Sequence, residues 1–222
     1  MTIGKRESQR LARRSQIIAV AREHFFEHGF DGTVMSAIAT KLGGSKGTLW
    51  NYFPSKEALF AAVVEDTAAA IRGGIDFSGQ GETVLDRLTN LCRTVIERMV
   101  SPIVLQMYRL ISPLAERRPE LVQVFYERGP LRTQALIAEY LRTQLADELW
   151  TEDYLEAGKD LVAMAAGIMH FEGIWGISGP PSAKAKQVQA RRAAVLFLRA
   201  WAREPERLVP LAEFQAIERE PA

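Results

Sequence analysis

Residues 33–53 read Thr33-Val34-Met35-Ser36-Ala37-Ile38-Ala39-Thr40-Lys41-Leu42-Gly43-Gly44-Ser45-Lys46-Gly47-Thr48-Leu49-Trp50-Asn51-Tyr52-Phe53. The apolar spacing divides this stretch into two short helices joined by a tight turn. Ile38 and Leu42 share one face of the first helix, and Leu49 and Phe53 share one face of the second. Gly43-Gly44 supplies the backbone freedom that a sharp turn requires. Thr33 is placed to cap the first helix and Ser45 the second, since a hydroxyl there accepts from the otherwise unpaired amides of the first turn. The second helix is left with an outward set of Lys46, Thr48, Trp50, Asn51 and Tyr52. A cation, hydroxyls, an amide and aromatic rings are the groups that contact phosphates and base edges. Lys56 follows at the start of the next helix.

Working outward, apolar residues recur at helical spacing on both sides: Ile17, Ile18, Ala21 and Phe25 before it, then Phe60, Val64, Ala68 and Ile71, then Leu85, Leu88, Cys92, Val95, Ile96 and Met99. No stretch alternates as a strand. Breaks fall at Gly29, Asp31-Gly32, Phe53-Pro54, 73–81, Ser101-Pro102, Arg118-Pro119 and 178–181, so about nine helices with short connections are expected and the fold class is all-α. The chain has 222 residues, 47% hydrophobic and 25% charged, an ordinary globular composition with no apolar run long enough to span a bilayer. The basic start, Met1 to Arg14, is not followed by the apolar region of a signal peptide, and a cytoplasmic location is expected. The net charge is only +1, but residues 1–60 carry nine Lys and Arg against five Asp and Glu, which favours a polyanion at that end. Cys92 is the single cysteine and sits among Leu88, Leu91, Val95 and Ile96, as a small buried hydrophobe would.

From Ile17 to Leu59 the sequence resembles the DNA-binding domain of the TetR family. The match is carried by Ile17, Ile18, Ala21, Phe25, Gly29, Phe30, Ile38, Ala39, Gly43, Ser45-Lys46-Gly47-Thr48-Leu49, Tyr52-Phe53 and Ser55-Lys56-Glu57-Ala58-Leu59. Gly44, Trp50 and His24 depart from the usual pattern. The resemblance implies that Ser36, Lys46, Gly47, Thr48, Trp50, Asn51, Tyr52 and Lys56 stand where family members touch DNA, and Thr33 and Ser45, at the two helix starts, are counted in the same expected DNA-binding set. Lys46 and Lys56 would serve phosphates, while Thr48 and Asn51 would read bases. A helix-turn-helix domain over 1–54 and a helical body over 55–222 that dimerises and senses a small molecule are then expected. Within the body, Pro119-Glu120-Leu121 and Phe125-Tyr126-Glu127-Arg128-Gly129-Pro130 resemble the AefR-like subgroup, and Pro130 should kink or break the helix that begins near Pro119.

Two long helices are expected near 152–177 and 182–203. Their small residues allow close approach, and the family's four-helix interface places Leu161, Ala165, Ile168, Ala190, Ala194 and Leu198 between two copies. A large charge at Ala194 should then part the dimer without unfolding it. Met107, Leu110, Phe125, Met164, His170, Phe171 and Trp175 combine flexible thioethers, wide rings and one imidazole, which suits an apolar cavity for a hydrophobic or aromatic effector. The expected partners are double-stranded operator DNA, that effector and a second copy of the chain, with no membrane. No cofactor, metal or enzyme activity is expected. Two other readings compete. His24-Phe25-Phe26-Glu27-His28 matches H-x-x-E-H, a zinc-hydrolase pattern, although the only other histidine is His170. A helical adaptor that binds protein alone is the third.

Overall fold

The computed structural model describes residues 4–43, 46–213 and 215, with the side chain of Lys46 outside that description. Among the described residues eleven α-helices follow one another: α1 (Lys5–Gly32), α2 (Met35–Lys41), α3 (Lys46–Tyr52), α4 (Lys56–Arg72), α5 (Val84–Met99), α6 (Pro102–Ile111), α7 (Pro119–Arg128), α8 (Pro130–Leu145), α9 (Tyr154–Trp175), α10 (Ala183–Trp201) and α11 (Pro205–Leu208). A single 3-10 turn occupies Ser112–Leu114. The surplus over nine comes from short pieces such as α11 and from the break at Pro130. There the helix ends at Arg128, Gly129 leaves helical geometry, and α8 starts afresh at the proline.

The chain forms two compact units, residues 1–70 with 106–129, and residues 71–105 with 130–222. The first, the head, closes around α1. Ile17, Ile18, Ala21 and Phe25 recur at three- and four-residue steps on one face of α1 and are buried. Gly29 interrupts the helix at φ 69°, a left-handed conformation that glycine adopts without steric cost, and Phe30 beyond it is buried. Phe60 of α4 meets Phe25 and Phe30 edge-on, at 5.4 and 5.3 Å between ring centroids. Such pairs add about 0.5–1.5 kcal/mol each beyond their buried area. Met107, Leu110, Ile111, Leu114, Leu121 and Phe125 complete the same core. The head therefore extends well past the expected boundary at 54/55, because α1 to α3 bury their apolar faces against α4, α6 and α7.

The second unit, the body, is built on α5. Thr83 and Asp86 form a reciprocal capping box at its start: Asp86 N donates to Thr83 Oγ1 at 3.1 Å, and Thr83 N donates to the Asp86 carboxylate at 3.3 Å. Leu85, Leu88, Leu91, Cys92, Val95 and Ile96 then face α9 and α10, whose Leu161, Ala165, Ala190, Ala194 and Leu198 join the same core. Burial pushes the Cys92 thiol up to about 12, so it stays a neutral packing group. Gly158 lets α8 and α9 approach closely, since a Cβ there would lie 3.1 Å from the carbonyl oxygen of Gln134 and 3.2 Å from the amide nitrogen of Ala138. No described helix is long and apolar enough to cross a membrane.

Candidate nucleic-acid interface

Two buried side chains orient the recognition helix. Leu49 and Phe53 are only 2% and 3% exposed, and this fixes which side of α3 faces solvent. Gly47, Trp50 and Asn51 lie on the exposed side, with Thr48 and Tyr52 partly covered. Ser36 is half-buried on α2, where its carbonyl accepts the hydroxyl of Thr40 at 2.9 Å. Gly43, at φ 63°, turns the chain after α2, with its amide donating to the carbonyl of Thr40. Gly44 and Ser45 lie outside the described residues, and so does the side chain of Lys46.

Two assignments change. Thr33 does not cap α2, whose N-cap is Val34. Thr33 is 2% exposed, and its hydroxyl donates to the carbonyls of Gly29 at 2.7 Å and His24 at 3.2 Å, closing the end of α1. A buried hydroxyl has to find an acceptor, and these carbonyls are the ones within its reach. Lys56 is likewise turned inward. Its ammonium donates to the carbonyls of Phe30 at 2.8 Å, Thr33 at 3.0 Å and Asp31 at 3.4 Å, and lies 4.5 Å from the centre of the Phe30 ring.

Sequence reasoning missed Arg13 and Arg14. Arg13 donates to the carbonyl of Leu42 at 3.1 Å, tying α1 to the end of α2, while Arg14 lies over the Phe53 ring at 5.2 Å. Lys5, Arg6 and Arg10 continue this basic edge along the exposed start of α1. Arg10 is held by Glu7 at 3.0 Å, and that hydrogen bond pulls the Glu7 carboxyl below its ordinary value. The excess of cations in residues 1–60 was the one signal of this edge. The rings of His24 and His28 are 5.4 Å apart, and His28 Nε2 is 3.7 Å from the Glu27 carboxylate. Among the described residues no group of three His, Cys, Asp or Glu is arranged to hold a metal ion.

The seven residues expected to line one cavity divide between the two units. Met107, Leu110 and Phe125 are buried in the head's own core. Met164 packs half-buried against the core of the body. His170 is 5% exposed, with Nδ1 2.8 Å from the carbonyl oxygen of Met99, so Nδ1–H is the donor. Phe171 and Trp175 instead point outward, 54% and 69% exposed, and stack on one another at 5.7 Å. Helical register explains this: Leu161, Ala165 and His170 hold the inward stripe of α9, whereas Ile168, Phe171 and Trp175, at steps of three and four, share the opposite side. The same register corrects the expected dimer contacts. Leu161, Ala165, Ala190, Ala194 and Leu198 are each 0% exposed within the protomer and are closed to a second copy. Of the six, Ile168 alone is exposed.

A helix-turn-helix whose second helix shows an exposed polar and aromatic side stands beside a basic edge. Comparison with known proteins agrees with that geometry. Residues 17–63 match the tetR family of bacterial regulatory proteins, and residues 86–203, more than half of the chain, match the C-terminal domain of AefR-like transcriptional repressors. The chain belongs to the TetR family. The chain is similar to the transcriptional regulator RutR of Escherichia coli K12, 44% identical over 63 residues, and to the transcriptional repressor AcnR of Corynebacterium diphtheriae, 32% identical over 78 residues. The matched stretches span 28% and 35% of this chain and only 30% and 41% of RutR and AcnR. Structural likeness reaches further. A crystal structure from Mesorhizobium loti assigned to the TetR family shares 30% identity at a TM-score of 0.74, covering 86% of this chain and 98% of its own. The flavonoid-responsive regulator FrrA shares 28% identity at the same TM-score and coverage.

Proposed function

We propose that this chain is a ligand-responsive transcriptional regulator, a repressor that occupies a roughly palindromic operator as a homodimer and leaves it when a small hydrophobic effector binds. The observation that carries the reading is the exposed side of α3, where Gly47, Trp50 and Asn51 project and Thr48 and Tyr52 are partly open, held in register by buried Leu49 and Phe53. Asn51 and Thr48 supply base contacts, and Lys46, with the edge formed by Lys5, Arg6 and Arg14, supplies phosphate contacts. The outward stripe of Ile168, Phe171 and Trp175 is the dimer face, since a contiguous exposed apolar patch on a globular chain marks a contact surface. Two recognition helices about 34 Å apart then read inverted half-sites in successive major grooves.

An aromatic effector is supported by the likeness to FrrA, whose description names a flavonoid response. The protein acts in the cytoplasm, without enzymatic activity, and the relatives named above, all regulators, support this. Mobility shift on genomic fragments tests the reading. The expected result is retention of one fragment at a concentration that leaves competitor DNA free, with Asn51→Ala losing about 1–3 kcal/mol of that discrimination. A protein that binds every fragment alike, or none, would overturn it.

A further inference from the structure

We infer that Lys56 is a positioning residue that closes the helix-turn-helix on itself, with Arg118 as its second cation, and is not a phosphate contact. A lysine ammonium has three donors. In this structure three carbonyl oxygens surround it: Phe30 at 2.8 Å, Thr33 at 3.0 Å and Asp31 at 3.4 Å. Phe30 and Asp31 lie in the last turn of α1 and Thr33 is its C-cap, where the helix terminus is partially negative; the Phe30 carbonyl also accepts the amide of Thr33 at 3.3 Å. A phosphate oxygen would have to displace one of them.

The placement along the chain gives the bonds their meaning. Thr33 immediately precedes Val34, the N-cap of α2, and Lys56 is the first residue of α4, three residues beyond Phe53. The bond from Lys56 to Thr33 therefore bridges a span of 23 residues that contains the whole helix-turn-helix. One nitrogen fixes both the point where α2 begins and the point where the chain leaves α3. The site has a second cation. Arg118, at the start of α7 in the same unit, lies 3.5 Å from the Asp31 carboxylate and 5.8 Å from the centre of the Phe30 ring, which Lys56 also approaches at 4.5 Å. Both cations thus hold Phe30 and Asp31, and that ring is itself wedged against Phe25 and Phe60 in the core. The angle of the recognition helix is set at this joint.

The affinity arm of the test rests on the proposed DNA binding, and the stability arm does not. Lys56→Met keeps the aliphatic stem and removes the donors. In DNA-free protein it should lower the melting temperature, and Lys56→Arg, which restores donors and charge, should recover most of the loss. A residue that only meets phosphate would leave that melt unchanged or raise it. On DNA, Lys56→Met should weaken binding about tenfold or more while the slope of log affinity against log salt stays at its wild-type value. Loss of a phosphate contact would instead reduce the slope by about 0.9 for each subunit bound. Arg118→Met, at a half-exposed position, should also weaken binding with no change in slope, and it serves if Lys56→Met does not fold. An unchanged melt for Lys56→Met, or a slope reduced by about 0.9 for each subunit bound, overturns the joint. Failure of wild-type protein to bind any DNA would overturn the regulator reading, and the melts would still decide the joint.

Discussion

Glutamate substituted at Ala194 of α10 and at Phe171 of α9 should act in opposite ways, because the two helices pack together with one position facing in and the other out. Ala194 is 0% exposed among Ala190, Ala193, Val195 and Leu198. A carboxylate there loses its hydration without gaining a cation, at an effective cost of several kcal/mol, and the added volume strains the core by about 1–3 kcal/mol more. A domain is stable by only about 5–15 kcal/mol, so Ala194→Glu should leave the body unfolded or marginal. Phe171 is 54% exposed, so losing its ring there costs the protomer on the order of 1 kcal/mol. In a dimer built on Ile168, Phe171 and Trp175, however, Phe171→Glu would bring two carboxylates into an apolar contact and should part the subunits. Circular dichroism melts and sedimentation velocity separate these outcomes. The expected pair is a monomeric Phe171→Glu with a near wild-type melt and an Ala194→Glu without a cooperative one. A dimeric Phe171→Glu would remove the proposed face, and a stable Ala194→Glu would mean that the inward register of α10 is wrong.

Three further outcomes are expected. Gly158→Ala gains up to about 1 kcal/mol of helix propensity but presses its methyl against backbone atoms of α8, so it should be close to neutral. Gly158→Val cannot be relieved in this way and should cost about 2–3 kcal/mol by urea unfolding; a neutral valine would contradict the close approach of α8 and α9. Burial pulls the His170 imidazole below its ordinary 6.5, with the Met99 carbonyl opposing in part. The folded state therefore binds protons less readily than the unfolded chain. Its stabilising contribution is complete above about pH 6.5 and fades as the pH falls toward the lowered value, so His170→Gln should flatten the decline of melting temperature over that acid range. An unaltered decline would exclude His170 as its source. Thr33→Val keeps the shape but leaves the carbonyls of Gly29 and His24 without their donor, and should cost about 1–2 kcal/mol in the same unfolding measurement; an increase in stability would show that the bond is not formed.

The helix-turn-helix and the all-helical class were legible because they rest on local signals. Period, turn glycines and the break at Pro130 act within a few residues, and Leu49 and Phe53 declare their own burial. What was not legible depended on where separate helices meet. Small residues on α9 and α10 announce a close helix contact, but the sequence does not say whether the partner helix belongs to the same protomer. Ala194 and Leu198 were assigned between copies and lie inside one. The ring-rich stretch from His170 to Trp175 was read as one lining, whereas α9 turns His170 inward and Phe171 and Trp175 outward. Lys56 shows the same limit. A lysine beside such a helix reads as a phosphate ligand, and only the fold brings the carbonyls of Phe30, Asp31 and Thr33 within its reach. The basic edge at the start of α1 appeared as a charge count, with no hint that Arg13 holds the end of α2.

The head draws its core from two stretches of chain, and this limits how the protein can be recombined. A fragment ending near residue 63, where the similarity to the tetR family's amino-terminal region stops, would lack Met107, Leu110, Ile111, Leu114, Leu121 and Phe125. Phe25, Phe60 and their neighbours would lose apolar partners that α6 and α7 provide. Such a fragment should behave as a poor graft, expressing weakly and exposing a greasy flank. A chimera carrying a foreign sensor would have to import residues 106–129 along with the amino terminus, with seams near 70, 105 and 129. The head of this chain is thus not a portable cassette, and exchanges between relatives should succeed only where the inserted stretch travels with it.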